Sequence, residues 1–109
     1  MSVRLTKSQI DDMYRPVLNA MVAYRVGTAT DEHYHDILGH LLIAEIIAKM
    51  VQRHNHLVEP IRGAQTALVS EPIELDIVET GCEIAKAVYV TTPRKTVSKA
   101  LKRILNATR

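Results

Sequence analysis

Histidines and a carboxylate at helical spacing are the first candidates for chemistry in this chain. Three of the five histidines lie close together, and His33, Asp36 and His40 follow one another at intervals of three and four residues. On a helix this spacing places two imidazoles and a carboxylate on one face, where they could meet a single metal ion. The pattern lacks the order of an established zinc motif such as His-Glu-x-x-His, and no ligand from a second helix is evident. We therefore interpret Asp36 and His40 as an ordinary helical pair and predict no metal site.

The single cysteine is the second candidate, as a nucleophile. Cys82 lies between Glu79 and Glu83, whose negative charges would raise the pKa of its thiol and so oppose formation of a thiolate. A buried structural role is therefore the stronger interpretation. Because one cysteine cannot form an intrachain disulfide, the sequence also favours a reducing compartment.

Motifs of nucleotide-binding and hydrolytic enzymes are missing from the sequence. The four glycines are scattered, so no glycine-rich loop could cradle a phosphate, and no Gly-x-Ser-x-Gly element is present. We expect no catalytic residues and no cofactor, and we predict that the protein is not an enzyme.

The charges are separated along the chain, although the net charge is only +2. One block contains carboxylates and no basic residue, and its members are Glu71, Glu74, Asp76, Glu79 and Glu83. From residue 84 to the end there is no Asp or Glu, and the cations of this stretch are Lys86, Arg94, Lys95, Lys99, Lys102, Arg103 and Arg109. Such an asymmetry can mark a binding surface.

The last predicted helix carries the candidate nucleic-acid surface. Its basic residues could contact successive phosphates of duplex DNA, and they are Arg94, Lys95, Lys99, Lys102 and Arg103. Lysine dominates this set, so few side chains are available to read base edges. The scarcity of aromatic residues disfavours stacking on single strands or RNA. DNA is therefore retained as a possible partner, and a small DNA-binding regulator as the alternative function.

An acidic face on the preceding helix offers a different account of the same basic residues. Asp76, Glu79 and Glu83 share one outward face of the fourth predicted helix, and residues 91–93 leave little chain before the fifth. We expect the two helices to be neighbours and the acidic face to screen the basic one, which would make the basic face structural. If the two faces diverge, the basic face is free to bind DNA weakly.

Apolar residues recur at helical spacing through most of the chain and predict an all-α fold. We expect a compact bundle of four to five helices that forms one domain over residues 1–109. The predicted helices run from about Lys7 to Arg25, from after Thr30 to about Arg53, from about Leu57 to Val69, from about Pro72 or Ile73 to Tyr89, and from after Thr92 to about Asn106.

Local signals predict how some of these helices begin and end. Thr6 or Ser8 is expected to cap the first helix, and Gly27 to end it, since glycine accepts the left-handed conformation cheaply. Pro16 is expected to kink or break that helix, because it lacks an amide proton and clashes with the carbonyl four residues back. Residues 73–77 alternate like a β-strand, but a single strand would have no partner, so we favour helix there.

The second predicted helix has an apolar arc wider than half of its circumference. This width is typical of a central helix that neighbours cover on more than one side. In so short a chain a second copy could supply part of the cover, so we predict a homodimer. The residues assigned to this self-association are Ile43, Ile46, Ile47 and Met50.

Signals for export or membrane insertion are not evident in the sequence. Residues 1–4 have no apolar signal region, and no apolar run reaches the roughly 18 residues that a membrane span needs. We therefore expect a soluble, cytoplasmic protein with no membrane partner.

Four segments carry a resemblance to other sequences, and they are Lys7-Ser8-Gln9-Ile10, Tyr14-Arg15-Pro16-Val17-Leu18-Asn19-Ala20, Arg25-Val26-Gly27-Thr28-Ala29-Thr30 and Ala44-Glu45. These segments resemble short hypothetical proteins from mobile or accessory regions of proteobacterial genomes. The resemblance spans most of the chain and implies a phage- or plasmid-type accessory protein, without an assigned activity or catalytic residues. The expected function is that of a non-enzymatic accessory protein that acts through helix-mediated self-association and protein contacts.

Overall fold

The computed structural model describes residues 3–107, and five α-helices account for most of them. They are α1 (Lys7–Val26), α2 (Asp31–Met50), α3 (Val58–Val69), α4 (Leu75–Val90) and α5 (Arg94–Ala107), with a 3-10 turn at Gln52–Leu57 between α2 and α3. Within the described part of the chain, β pairing is confined to an isolated bridge between Arg4 and Pro93. The predicted all-α bundle of four to five helices is confirmed. None of the described helices combines the length and the apolar character needed to cross a bilayer.

The second helix is the centre of the bundle. It packs against α1, α3, α4 and α5, and its completely buried residues are Ile37, Leu41, Ala44, Ile47 and Ala48. The wide apolar arc of α2 is therefore covered on several sides within one chain, as its pattern predicts. Since the sequence contains no Phe and no Trp, aliphatic side chains and two buried tyrosines fill this core.

Local hydrogen bonds define both ends of α1. Of the two predicted caps, Thr6 is the one used: its hydroxyl oxygen accepts from the amide of Gln9, and the Gln9 side chain accepts from the amide of Thr6. At the other end, Gly27 has a φ angle of 78°, and its amide donates to the carbonyls of Ala23 and Tyr24. The predicted stop at Gly27 is confirmed.

α1 continues through Pro16, so a break does not occur at that position. Pro16 lies on the exposed side of the helix, and Tyr14 and Val17 beside it are buried. Packing of the buried neighbours therefore keeps this turn helical in spite of the lost hydrogen bond.

Two connections differ from their predicted positions. α2 ends three residues earlier than predicted, because residues 52–57 tighten into the 3-10 turn, where His54 is buried. α4 begins two or three residues later than predicted, because the amide of Glu74 donates to the carbonyl of Ala67 and closes the turn after α3. Residues 73–77 form no strand, and the last three of them belong to α4.

Helices α3 and α4 approach each other closely at Gly81. A Cβ atom placed on Gly81 would lie 2.1 Å from the Cβ atom of Ala64, far inside van der Waals contact. Any larger residue at this position would push α3 and α4 apart, so the observed distance between the two helices requires glycine. The contact thereby fixes the first half of α4, which carries part of the acidic block, against α3.

Gly81→Ala should lower the free energy of unfolding by about 1–3 kcal/mol, because the added methyl group overlaps Ala64 and forces the two helices apart. Urea unfolding followed by circular dichroism measures this change. Gly63→Ala is the matched control, since a Cβ atom on this glycine of α3 meets no other atom within 4 Å. That control should leave stability unchanged or raise it by about 0.5–1 kcal/mol, as expected for a glycine inside a helix. Equal unfolding midpoints for the two variants would contradict the close contact.

Candidate functional site

A polar cluster inside the core joins α1, α2 and α4. The Nε2 atom of His40 lies 3.0 Å from the carbonyl oxygen of Cys82, so this nitrogen carries a proton and donates it. The hydroxyl of Tyr89 donates to the carbonyl oxygen of His40 at 3.1 Å, and the hydroxyl of Tyr14 donates to Oε1 of Glu83 at 3.1 Å. The imidazole packs against both tyrosine rings, with centroid distances of 5.3 and 5.2 Å.

Burial favours the uncharged forms of the side chains of His40, Cys82, Tyr14 and Tyr89. It lowers the pKa of His40, because the protonated form loses its hydration. It raises the pKa of the Cys82 thiol to about 12, and the negative charges of the neighbouring glutamates add to the effect. Burial also raises the pKa of Tyr14 and of Tyr89. The predicted burial of Cys82 is confirmed, and a neutral thiol is both a poor nucleophile and a poor metal ligand.

A shallow depression between α1 and α2 opens above the cluster. Its volume is about 280 Å³. Its lining combines Met13, Pro16, Val17, Gly39 and Ile43 with the polar side chains of His35, Asp36, His40 and Tyr89. Pockets that bury a drug-sized ligand have volumes of about 300–1,000 Å³ and enclose most of the ligand surface. The depression is shallow, and its volume lies just below this range.

His33 and His40, which have metal-capable spacing in the sequence, lie in different parts of the fold. The Nδ1 atom of His33 accepts from the amide of Thr30 at 3.0 Å and so caps the start of α2. His40 belongs to the core cluster, where its exposed fraction is 7%. Among the residues that the structure describes, no group of three or more His, Cys, Asp or Glu side chains is arranged to hold a metal ion.

A second buried histidine lies where the 3-10 turn meets the end of α4. The Nε2 atom of His54 is 3.2 Å from the hydroxyl oxygen of Thr91, and burial is the main cause of its lowered pKa. Sequence reasoning missed this role, because the two residues are 37 positions apart. Thr92, after which the fifth helix was predicted to begin, is buried and donates its hydroxyl to the carbonyl of Val88 in α4.

The basic face of α5 is exposed along the helix. Its members, all of them exposed, are Arg94, Lys95, Lys99, Lys102 and Arg103. Among the described residues, no carboxylate lies within 4 Å of these cations, and the ion pairs belong instead to Arg15, Arg25, Lys49 and Arg62. α5 packs mainly against α2 and buries Val97 and Ala100 on its inner side.

Among the described residues, the acidic face of α4 forms no ion pair with the basic face of α5, so the predicted pairing of the two faces is not seen. Glu79 forms an ion pair with Arg25 of α1, and Glu83 accepts the hydrogen bond from Tyr14 of α1. Asp76 lies in the first turn of α4, at the opposite end of that helix from the connection to α5. The two charged faces diverge because α4 turns its acidic side toward α1, whereas α5 packs against α2.

The residues predicted for self-association are only partly available at the surface. Ile47 is completely buried in the core of its own chain, so it is not part of the surface predicted for self-association. The physical reason is the cover that the other helices give to α2. Ile43, Ile46 and Met50 are half-buried and pack at the edge of the same core.

Large apolar side chains are exposed at other places on the bundle. On α1, Leu18, Val22 and Val26 follow one another at intervals of four residues and are 50%, 60% and 66% exposed. Near the turn from α3 into α4 and on α5, the exposed apolar residues are Val69, Ile73, Ile77, Leu101 and Leu105. Sequence reasoning did not single out the group on α1, although its four-residue interval is a signal that could have found it.

Comparisons with protein-family models, with curated proteins and with solved structures find no match for the chain. Contacts, burial and charge within the described residues are therefore the basis for assigning a function.

His40 should make the protein less stable as the pH falls below about 6.5, the ordinary pKa of histidine. Its pKa is lowered in the folded protein, so the unfolded chain binds the proton first and acidification favours unfolding. His40→Gln can keep a side-chain donor for the carbonyl of Cys82 but cannot titrate. Its thermal unfolding midpoint should therefore fall less than that of the wild type between about pH 7 and about pH 5.

His56→Gln is the control for this experiment, because it removes an imidazole that is exposed. Part of the acid-induced loss should remain in His40→Gln, since the pKa of His54 is also lowered in the fold. Identical pH profiles for wild type and His40→Gln would show that His40 is not held in its neutral form.

Proposed function

We propose that this chain is a non-enzymatic accessory protein that acts through helix-mediated self-association and contacts with other proteins. The observation that carries the proposal is the grouping of exposed apolar side chains on the helices. Leu18, Val22 and Val26 form one such group on α1, and Leu101 and Leu105 lie one turn apart on α5. Groups of apolar side chains at a surface usually mark an interface, whereas isolated ones need no explanation.

The interior of the bundle supports a role without catalysis. Burial favours the neutral forms of His40 and of the Cys82 thiol, and Nε2 of His40 donates to the backbone carbonyl of Cys82. His40 borders the shallow depression between α1 and α2, but its Nε2 hydrogen bond goes to a backbone carbonyl, as does the hydrogen bond of the Tyr89 hydroxyl. The accessory role that the resemblance to mobile-region proteins implies is part of the same proposal.

Self-association should be visible in the mass of the protein in solution. Sedimentation equilibrium should give an average mass above the 12.2 kDa of one chain, and this mass should rise with protein concentration. We expect the rise at concentrations on the order of 100 μM, as for contacts of small area. A constant mass of 12.2 kDa at all of these concentrations would refute self-association.

A small DNA-binding regulator is the second candidate, because one observation favours it. The cations of α5 are exposed and form no ion pair with a described carboxylate, so they are available to phosphates. Lysine and arginine on one helix face bind duplex DNA mainly by displacing counterions, without sequence preference. This mode of binding is weak and depends steeply on salt.

The measurement that tests this candidate is titration of labelled duplex DNA at low salt. Wild type should bind weakly and lose affinity steeply as salt rises, and Lys99→Glu with Lys102→Glu should remove the binding. Lys7→Glu with Arg15→Glu is the control, since it makes the same change in net charge at exposed positions of α1. Equal losses in both variants would mean that net charge, and not α5, governs the binding.

A further inference from the structure

Two surfaces of opposite charge, each bordered by exposed apolar side chains, are present on the same chain. We propose that they bind each other between copies, so that α5 of one copy docks on the start of α4 of another. This inference rests on the self-association proposed above and assigns the two surfaces that carry it.

The acidic surface surrounds the turn from α3 into α4. This acidic patch consists of Glu71, Glu74, Asp76, Val69, Ile73 and Ile77, all of which are exposed. None of its carboxylates forms an ion pair with a cation among the described residues, since the ion pair nearby joins Arg25 to Glu79. Shallow depressions lie on both sides of Asp76 and Ile77, one toward Arg25 and the other toward Gly63. The patch therefore offers unpaired negative charge next to apolar surface that a helix could cover.

The basic surface is α5, which offers the complementary features. Lys95, Lys99 and Lys102 are exposed on its outer side, and Leu101 and Leu105 are 38% and 62% exposed beside them. From residue 101 onward, no described side chain of α5 is buried, and Ile104 is half-buried. An amphipathic helix with apolar residues four positions apart is the usual ligand of an apolar groove.

Within one chain the two surfaces form no ion pair with each other, for a geometric reason. The acidic patch lies at the start of α4, and α5 begins beyond the end of α4, which is about 24 Å away for a helix of 16 residues. α5 then packs mainly against α2. A second copy of the chain supplies the opposite charge together with matching apolar surface, so each contact joins the acidic patch of one copy to α5 of the other.

The contact joins different surfaces of the two copies, and this determines the form of the assembly. A copy that uses its acidic patch still has an α5 that no other copy has bound, so the contact is head-to-tail and can continue to a further copy. α5 has 14 residues and is about 21 Å long, with only one side available. Interfaces below about 1,200 Å² are typical of weak and transient complexes. Association should therefore be weak, graded with concentration and reduced by salt.

Charge reversal on each surface tests the pairing by sedimentation of the full chain. Lys99→Glu with Lys102→Glu reverses the basic surface, and Glu74→Lys with Asp76→Lys reverses the acidic patch. Each double variant alone should associate about tenfold more weakly than wild type, because like charges then face each other. Circular dichroism verifies that both variants keep the helical fold.

An equimolar mixture of the two variants is the decisive sample. The unchanged α5 of the patch variant meets the unchanged patch of the α5 variant, so the mixture should associate where neither variant does alone. The same rescue should occur in one chain that carries all four substitutions. Asp11→Lys with Asp12→Lys is the matched control for the patch variant, since it makes the same change in charge at exposed positions of α1 and should associate as wild type does.

Three outcomes would overturn the inference. A wild-type chain that stays monomeric overturns the proposed self-association and this pairing with it. Wild-type association that survives both reversals, or a mixture that is not rescued, overturns the pairing alone and leaves self-association in place. Loss of association in the α5 variant only, together with binding of duplex DNA by wild-type α5, would assign the basic surface to nucleic acid.

Discussion

Close packing of small aliphatic side chains is the constraint on which the rest of the structure depends. The chain has no Phe and no Trp, so its interior is filled only if the helix backbones come near one another. Ala44 and Ala48 on the completely buried side of α2, and the contact of Gly81 with Ala64, are places where this happens. The positions of the other helices around α2, and therefore the surfaces they expose, follow from this packing.

A polar cluster in so apolar a core specifies how the helices fit together. Tyr14, His40 and Tyr89 come from α1, α2 and α4, and each makes a hydrogen bond that fixes its position relative to another helix. Aliphatic side chains alone tolerate small shifts of one helix along another, whereas a hydrogen bond does not. Among the described residues, no buried side-chain nitrogen or oxygen lacks a partner. His40 and the two buried tyrosines thus fix the positions of α1, α2 and α4 relative to one another.

The same packing distributes the charges over the surface. The ion pair of Glu79 with Arg25 and the hydrogen bond of Glu83 with Tyr14 tie the middle of the acidic block to α1. The carboxylates at the start of α4 and the cations of α5 are left without an intrachain ion pair among the described residues. Opposite charges that the fold keeps apart are available to partners, which is why we propose interactions between copies as the basis of function.

The sequence by itself determined the helices, a cap at Thr6 or Ser8, the stop at Gly27 and the burial of Cys82. These features depend on apolar spacing and on hydrogen bonds between residues a few positions apart, which a sequence displays directly. Only the tertiary structure decided the direction in which each helix face points. It placed Ile47 inside the chain's own core and turned Glu79 toward a partner 54 positions away. Such long-range contacts follow from the simultaneous packing of all five described helices, and no local pattern encodes them.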